Sequence, residues 1–346
     1  MIYTFVILCA ATLAVLATVQ TRVARLAGWL TALILALLAG MRGTSVDYND
    51  YLFLMDLMIT AEEYLDLPAR LMVGKDPLFG ALMAVVIAYG WNYSMLFVLA
   101  AALGVGLKVI AFERGFGQAA VPLFASLCLY YFLHDFTQIR VAVALGWCYW
   151  GFVELYRQRP GRALLLSVVG VGFHASAAML LLYGPVLRLR GWTRGAMALT
   201  VTIVLVALVP FAVEAFGVLG DRGETNTGQT GAGWLPITID CVKLAVLAYV
   251  VRDLKHKVDG DLLPLLQGAL LLCAVGLTLL FGFSGVTSAL AFRSYELFDA
   301  FSVFIVAAAF SHGRPVARVA AVLMCAQSLA AMISGGLMVP YTLTTF

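Results

Sequence analysis

Charge is what this sequence has least of. Lys and Arg number 22 and Asp and Glu 19 in 346 residues, so 12% of the chain is charged, about half the 25% usual for a soluble domain. With 63% apolar residues and a mean hydropathy of +0.97, that scarcity excludes a disordered chain, a coiled coil and a collagen-like repeat. Cysteine is sparse as well. Cys9, Cys128, Cys148, Cys273 and Cys325 lie inside apolar runs, Cys241 lies near the start of another, and no CxxC or His-rich spacing occurs. Neither a secreted disulfide scaffold nor a zinc site is therefore indicated. The opening stretch from Met1 to Val19 has no basic n-region, so it reads as a retained first helix rather than a signal peptide. Low-complexity tracts, internal repeats and any soluble-looking domain are missing too.

What the sequence does have is repeated apolar runs of about 15–22 residues separated by short charged loops, the pattern of a polytopic helical membrane protein. The runs are continuous rather than alternating, which disfavours a barrel. They fall near 1–20, 26–41, 77–90, 94–112, 119–133, 139–156, 163–187, 195–219, 235–251, 262–283, 295–311 and 317–338. The expected fold is all-α, with about 10–12 membrane helices in a single transmembrane domain, 1–346, whose external loops are 42–76 and 221–234.

Lys and Arg collect in Thr21–Arg25, Lys108–Arg114, Arg157–Arg162, Arg188–Arg194, Arg252–Lys257 and Arg314–Arg318, which the positive-inside rule places in the cytoplasm. The polar loops Arg42–Asp76, His134–Gln138, Asp221–Trp234 and Ser284–Phe292 then face outward. That assignment closes only if two segments enter and return. One is 77–90, too short to span comfortably. The other is 163–187, with Gly170, Gly172 and His174 near its middle and arginines on both flanks. Irregular backbone at membrane depth survives where it is buried or lines a wet cavity. The alternative is one basic loop facing outward.

Polar groups recur where such a protein should avoid them, and an intramembrane arginine costs about 2.5–3.5 kcal/mol on insertion scales. Four clusters stand out: Arg42 with Asp47, Tyr48, Asp50 and Tyr51; His134-Asp135 with Gln138 and Arg140; His174 with Ser176; and Arg293 with Tyr295, Glu296 and Asp299. On this topology all four lie in the external half of the membrane. Guanidinium groups there suit an anionic ligand, because Arg binds phosphate oxygens bidentately. Plainer readings exist for each. Arg42 can be an interfacial anchor, and Arg293 with Glu296, like Asp240 with Lys243, can be a self-satisfied i, i+3 pair. His174 can bond a carbonyl on a neighbouring helix, and Asp47 and Asp50 can be solvated loop acids. The glycine-rich 220–233 loop has no following Lys-Ser/Thr and is no P-loop.

In their order and spacing these residues resemble the EpsG family of bacterial polysaccharide polymerases, relatives of the Wzy-type enzymes. Arg42 followed by Val46-Asp47-Tyr48 and Tyr51 is similar to that family's Arg…Gly-Thr-Asp-Tyr-x-x-Tyr element, and Asp76-Pro77-Leu78-Phe79 to its Glu-Pro-Gly-Phe element. Gln138-Ile139-Arg140 with Ala144 resembles its Arg-led helix start, Phe173-His174-Ala175-Ser176-Ala177 its His-x-Ser-Ala element, and Arg293-Ser294-Tyr295 its late Arg helix.

The resemblance implies a metal-independent glycosyltransferase of GT-C type, without a cofactor, in the bacterial cytoplasmic membrane. It would join undecaprenyl-diphosphate-linked oligosaccharide units, donor to acceptor, on the external face, building exopolysaccharide, capsule or O-antigen. Membrane lipid and a chain-length regulator protein are the expected partners; nucleic acid is not. Arg140 and Arg293, then Arg42, would meet the diphosphate, with Tyr48, Tyr51, Gln138 and Tyr295 beside the substrate. His174 or Asp47 would take the proton of the attacking hydroxyl. Two rival classes remain open on the residues: a flippase or exporter of a lipid-linked glycan or other anion, and a membrane acyltransferase of surface glycans, for which His134-Asp135 is a candidate centre.

Overall fold

The computed structural model describes residues 2–20, 22–61, 64–74, 76–216, 234–258, 260–284 and 288–343; the expected external loop 221–234 lies outside them except for Trp234. Apart from an isolated bridge between Arg42 and Leu343, the described residues are helical or irregular. In chain order the helices are α1 Ile2–Val19, α2 Ala24–Gly40, α3 Tyr48–Thr60, α4 Leu67–Val73, α5 Pro77–Ala88 and α6 Ser94–Phe116. Next come α7 Ala120–Ser126, which runs on through a π turn at Leu127–Tyr131, α8 Ile139–Tyr156 and α9 Pro160–Phe173. After a 3₁₀ turn at Ala175–Ala177 follow α10 Ala178–Arg188, α11 Gly191–Phe216, α12 Trp234–Leu254, α13 Leu262–Phe283, α14 Ser288–Asp299, α15 Ser302–His312 and α16 Pro315–Ser334.

Among the described residues six stretches are long and apolar enough to cross a bilayer: Ile2–Val19, Ser94–Phe116, Gly191–Leu208, Leu262–Phe283, Leu290–His312 and Pro315–Ser334. The chain is an all-α polytopic membrane protein. It divides into two compact units, residues 1–181 with 321–346, and residues 182–320.

Within the first unit, three local features place the residues that matter. The stretch 42–76, expected as a loop, contains α3 and α4. α3 forms because Tyr51, Leu54, Met55 and Met58 recur at helical spacing and are all buried. The second feature is the short segment 77–90. Pro77 opens α5, where its missing N–H costs nothing, and α5 bends 102° from α4. Gly80 permits that bend: a Cβ there would lie 2.0 Å from the Leu71 carbonyl oxygen. α5 also approaches α9 closely, since a Cβ on Gly172 would lie 2.6 Å from Leu78.

The third feature is the break inside 163–187. α9 stops at Phe173, His174 is extended at φ −158° and ψ 112°, and the chain turns helical again at Ala175. The expected interruption is therefore present, at His174 itself.

One sequence reading needs correction here. Lys108 does not begin a basic loop. α6 continues to Phe116, where Gly117 ends it in the left-handed conformation at φ 74°. Lys108 is thus inside the helix, buried, and paired with Asp135 at 2.5 Å. At the other end of the same bundle Glu154 is fully buried, held by Arg114 at 2.6 Å, with Arg159 and Arg162 at 3.6 and 3.9 Å.

The second unit carries its own polar pairs. Asp240 and Lys243 do not satisfy each other as the i, i+3 spacing suggests. Lys243 pairs with Asp299, and Asp240 accepts a hydrogen bond from the Tyr295 hydroxyl at 2.6 Å. Both pairs tie α12 to α14, because partners across two helices relieve buried charges that i, i+3 neighbours on one exposed face would leave to water.

Candidate functional site

Asp76 lies at the bend between α4 and α5, and the side chains expected to do chemistry gather on its carboxylate. Arg140, in the first turn of α8, reaches Oδ2 at 2.6 Å, and the Ala175 backbone N–H donates to Oδ1 at 2.8 Å. The His174 ring places Nδ1 3.7 Å from Oδ2. Asp76 is 2% exposed, and removing one partner of such a pair typically costs about 3–5 kcal/mol. The sequence therefore brings two of its candidate residues, Arg140 and His174, to one carboxylate supplied by a third motif. On sequence alone Asp76 is distinguished only as part of the Asp76-Pro77-Leu78-Phe79 element. The signal available for it was an acid directly before a proline-headed apolar helix, where a carboxylate is expected to sit at membrane depth.

A second cation stands beside this group. Arg42 is 0% exposed, so it is not an interfacial anchor. Its guanidinium donates to the Ala39 carbonyl and lies over the rings of Phe97 at 4.7 Å and Phe136 at 5.2 Å. Burial lowers its pKa to about 10 and the surrounding tyrosines Tyr131, Tyr51, Tyr48 and Tyr341 raise it, so it stays cationic at neutral pH. Tyr51 links the two cations: it is buried against Phe79 and Phe97, within the fields of both Arg140 and Arg42 and of Asp47. Tyr48 stacks on Phe97 at 4.6 Å. Asp47 is the residue from which α3 starts, half-buried.

The turn at 132–138 closes the group from another side. His134 is buried, its Nδ1 is 3.2 Å from the Gln138 side chain, and its ring stacks on Tyr130. Burial first, then the Lys108 ammonium, lowers its pKa to about 3, so the imidazole is neutral. Asp135 is committed to Lys108. His134 and Asp135 thus face separate partners instead of forming a joint acid–base centre.

Arg293 and Tyr295 belong to the second unit. Arg293 is exposed on α14, one turn from Glu296, and Tyr295 is the donor to Asp240. Among the described residues no group of three or more His, Cys, Asp or Glu is placed to hold a metal ion.

An arginine on a buried carboxylate, an imidazole beside it and a second caged guanidinium can hold an anion and accept a proton within one site. Against known proteins, the EpsG family model matches residues 26–342, nearly the whole chain. No curated protein and no solved structure matches it.

Proposed function

The chain belongs to the EpsG family, and from that premise we propose that it polymerises lipid-diphosphate-linked oligosaccharide repeat units by glycosyl transfer. The family supports a role in polysaccharide polymerisation in general. The finer reading is carried by one observation: Asp76 joins Arg140 and His174 in a single cluster.

In the proposed reaction an acceptor sugar hydroxyl attacks the anomeric carbon of the donor chain. The new C–O bond forms as the bond to undecaprenyl diphosphate breaks. His174 takes the hydroxyl proton, with Asp76 fixing the ring and offsetting the charge of the imidazolium. Asp47 is the second candidate base. Negative charge growing on the departing diphosphate meets Arg140 and Arg42, positioned before the reaction begins. Tyr48, Tyr51 and Gln138 are assigned to substrate contact.

The depth of the cluster supports an external site. α8 and α9 both rise from the basic turn 157–162, and at 1.5 Å per residue they carry Arg140 and His174 about 20–25 Å away from it. With that turn in the cytoplasm, the cluster lies in the outer half of a bacterial cytoplasmic membrane, where a flipped lipid diphosphate presents its charge. A chain-length regulator is the protein partner this reading calls for.

The test is glycan profiling in cells deleted for the gene and supplied with wild type or Arg140→Ala. Wild type is expected to restore polymer, and Arg140→Ala at equal membrane abundance to leave single capped repeat units. Repeat units retained on the inner leaflet in the deletion strain would instead make the protein a transporter. The separate engagement of His134 and Asp135 favours glycosyl over acyl transfer.

A further inference from the structure

The first unit holds an open cleft of about 740 Å³, a volume within the range of small-ligand sites. Its lining includes Tyr48, Trp91, Asn92, Tyr93, Ser94 and Thr342, and among the described residues none of the lining side chains is charged. The cleft is neutral, yet it begins at the cationic cluster. Tyr48 lines it, and the ring on which Tyr48 stacks, Phe97, is the ring under the Arg42 guanidinium.

Its polar lining is fixed in place. The Tyr93 hydroxyl donates to Asp56 at 2.9 Å, and Asn92 Oδ1 accepts from the Ser94 N–H at 3.0 Å. Trp91, 40% exposed, stacks on Tyr89 at 5.0 Å with the planes 20° apart. The opposite wall is laced to the Arg42 loop: Gly43 N–H donates to the Thr342 carbonyl at 2.7 Å, and Thr44 Oγ1 to the Pro340 carbonyl at 2.9 Å.

Flat aromatic faces set among amide and hydroxyl groups complement a pyranose ring, which offers C–H faces above and below and hydroxyls around its edge. The same lining is wrong for an anion, which would find no cation in it, and for an acyl chain, which would shut its amide and hydroxyl groups away from water. Ordered side chains also lose little entropy on binding.

We infer that this cleft is the subsite for neutral sugars of the glycan substrate, while the adjoining arginines take its diphosphate. The assignment rests on the polymerase reading. Sugars could reach the cleft from the incoming repeat unit or from the growing chain, and their recognition chemistry is shared.

The experiment uses the full-length protein in nanodiscs and two lipid-free probes, a single repeat unit and a fragment of several units released from the host's own polysaccharide. Undecaprenyl diphosphate without sugar is the third probe. Trp91→Ala and Asn92→Ala are expected to weaken oligosaccharide binding by about tenfold each, while leaving undecaprenyl diphosphate within about twofold of wild type. Arg140→Ala is expected to do the reverse. Both cleft residues are exposed, and retained diphosphate binding shows that the variants are folded. Equal affinity for one unit and for several identifies the acceptor as occupant; affinity rising with length identifies the growing chain.

If the wild type fails to bind oligosaccharide, or Trp91→Ala binds it unchanged, while Arg140-dependent diphosphate binding persists, the cleft assignment is overturned and the polymerase reading stands. If deletion cells still make full-length polymer, the polymerase reading falls and takes the assignment with it.

Discussion

Asp76 meets Arg140 at 2.6 Å, the Ala175 N–H at 2.8 Å and His174 at 3.7 Å, so an asparagine there removes the negative charge that two basic side chains share. Asp76→Asn is expected to abolish polymer at near-normal membrane abundance, and Asp76→Ala to lower abundance as well, because it also deprives Ala175 of its acceptor. Asp76→Glu keeps the charge one methylene further out, the acid that the family's Glu-Pro-Gly-Phe element carries, and is expected to keep a substantial fraction of activity. Polymer yield normalised to membrane protein separates the three. Equal polymer from Asp76→Asn and wild type would remove Asp76 from the site. This residue was only partly legible beforehand. Arg42, Arg140 and His174 stood out because a lone polar group in an apolar run is conspicuous, whereas an acid ahead of a proline looks like ordinary helix punctuation. Lys108 is hard to place from sequence for a related reason. A charge near the end of an apolar run resembles a loop unless its partner is known, and Asp135, its partner, is 27 residues away.

At the scale of elements, the sharp bend of α4 against α5 carries Asp76 to its place, and that bend depends on Gly80 having no side chain. Gly80→Ala forces a Cβ against the Leu71 carbonyl, and overpacking of this kind costs about 1–3 kcal/mol. The expected outcome is a lower melting temperature in detergent together with loss of polymer. Gly161→Ala, at a glycine with open space around it, should change neither. Wild-type behaviour of Gly80→Ala would mean that the bend does not set the site. The irregular pieces were the more readable elements: 77–90 was too short to span, and His174 lay in a glycine-flanked run. α3 and α4 escape a reading of the sequence, since they are short, mix apolar and charged residues, and sit where a hydropathy window sees only a loop. The pairing of Lys243 with Asp299 and of Asp240 with Tyr295 was hidden by sequence distance, because i, i+3 spacing is visible in a sequence and a partner on another helix is not.

For the molecule as a whole, the class follows from composition alone, and the conjunction of weak motifs in order points to the family better than any one motif does. With the α4–α5 pair entering and returning on one side, alkaline phosphatase fused after Tyr64 and after Gly90 is expected to be active in both positions. Activity at one and not the other would make the pair a broken span, and would move the bend through the membrane rather than into it.

The tie between the Arg42 loop and the segment around Pro340 joins residues 296 positions apart, and the entire second unit is encoded between them. During synthesis, therefore, every motif residue of the first unit emerges long before the wall of the cleft does. A chain cut short anywhere in 182–336 carries Arg42, Arg140 and His174 but lacks the segment to which Gly43 and Thr44 are bonded. The wall of the cleft is therefore complete only in chains read past Pro340, so a premature stop within the second unit also costs the first unit one of its walls.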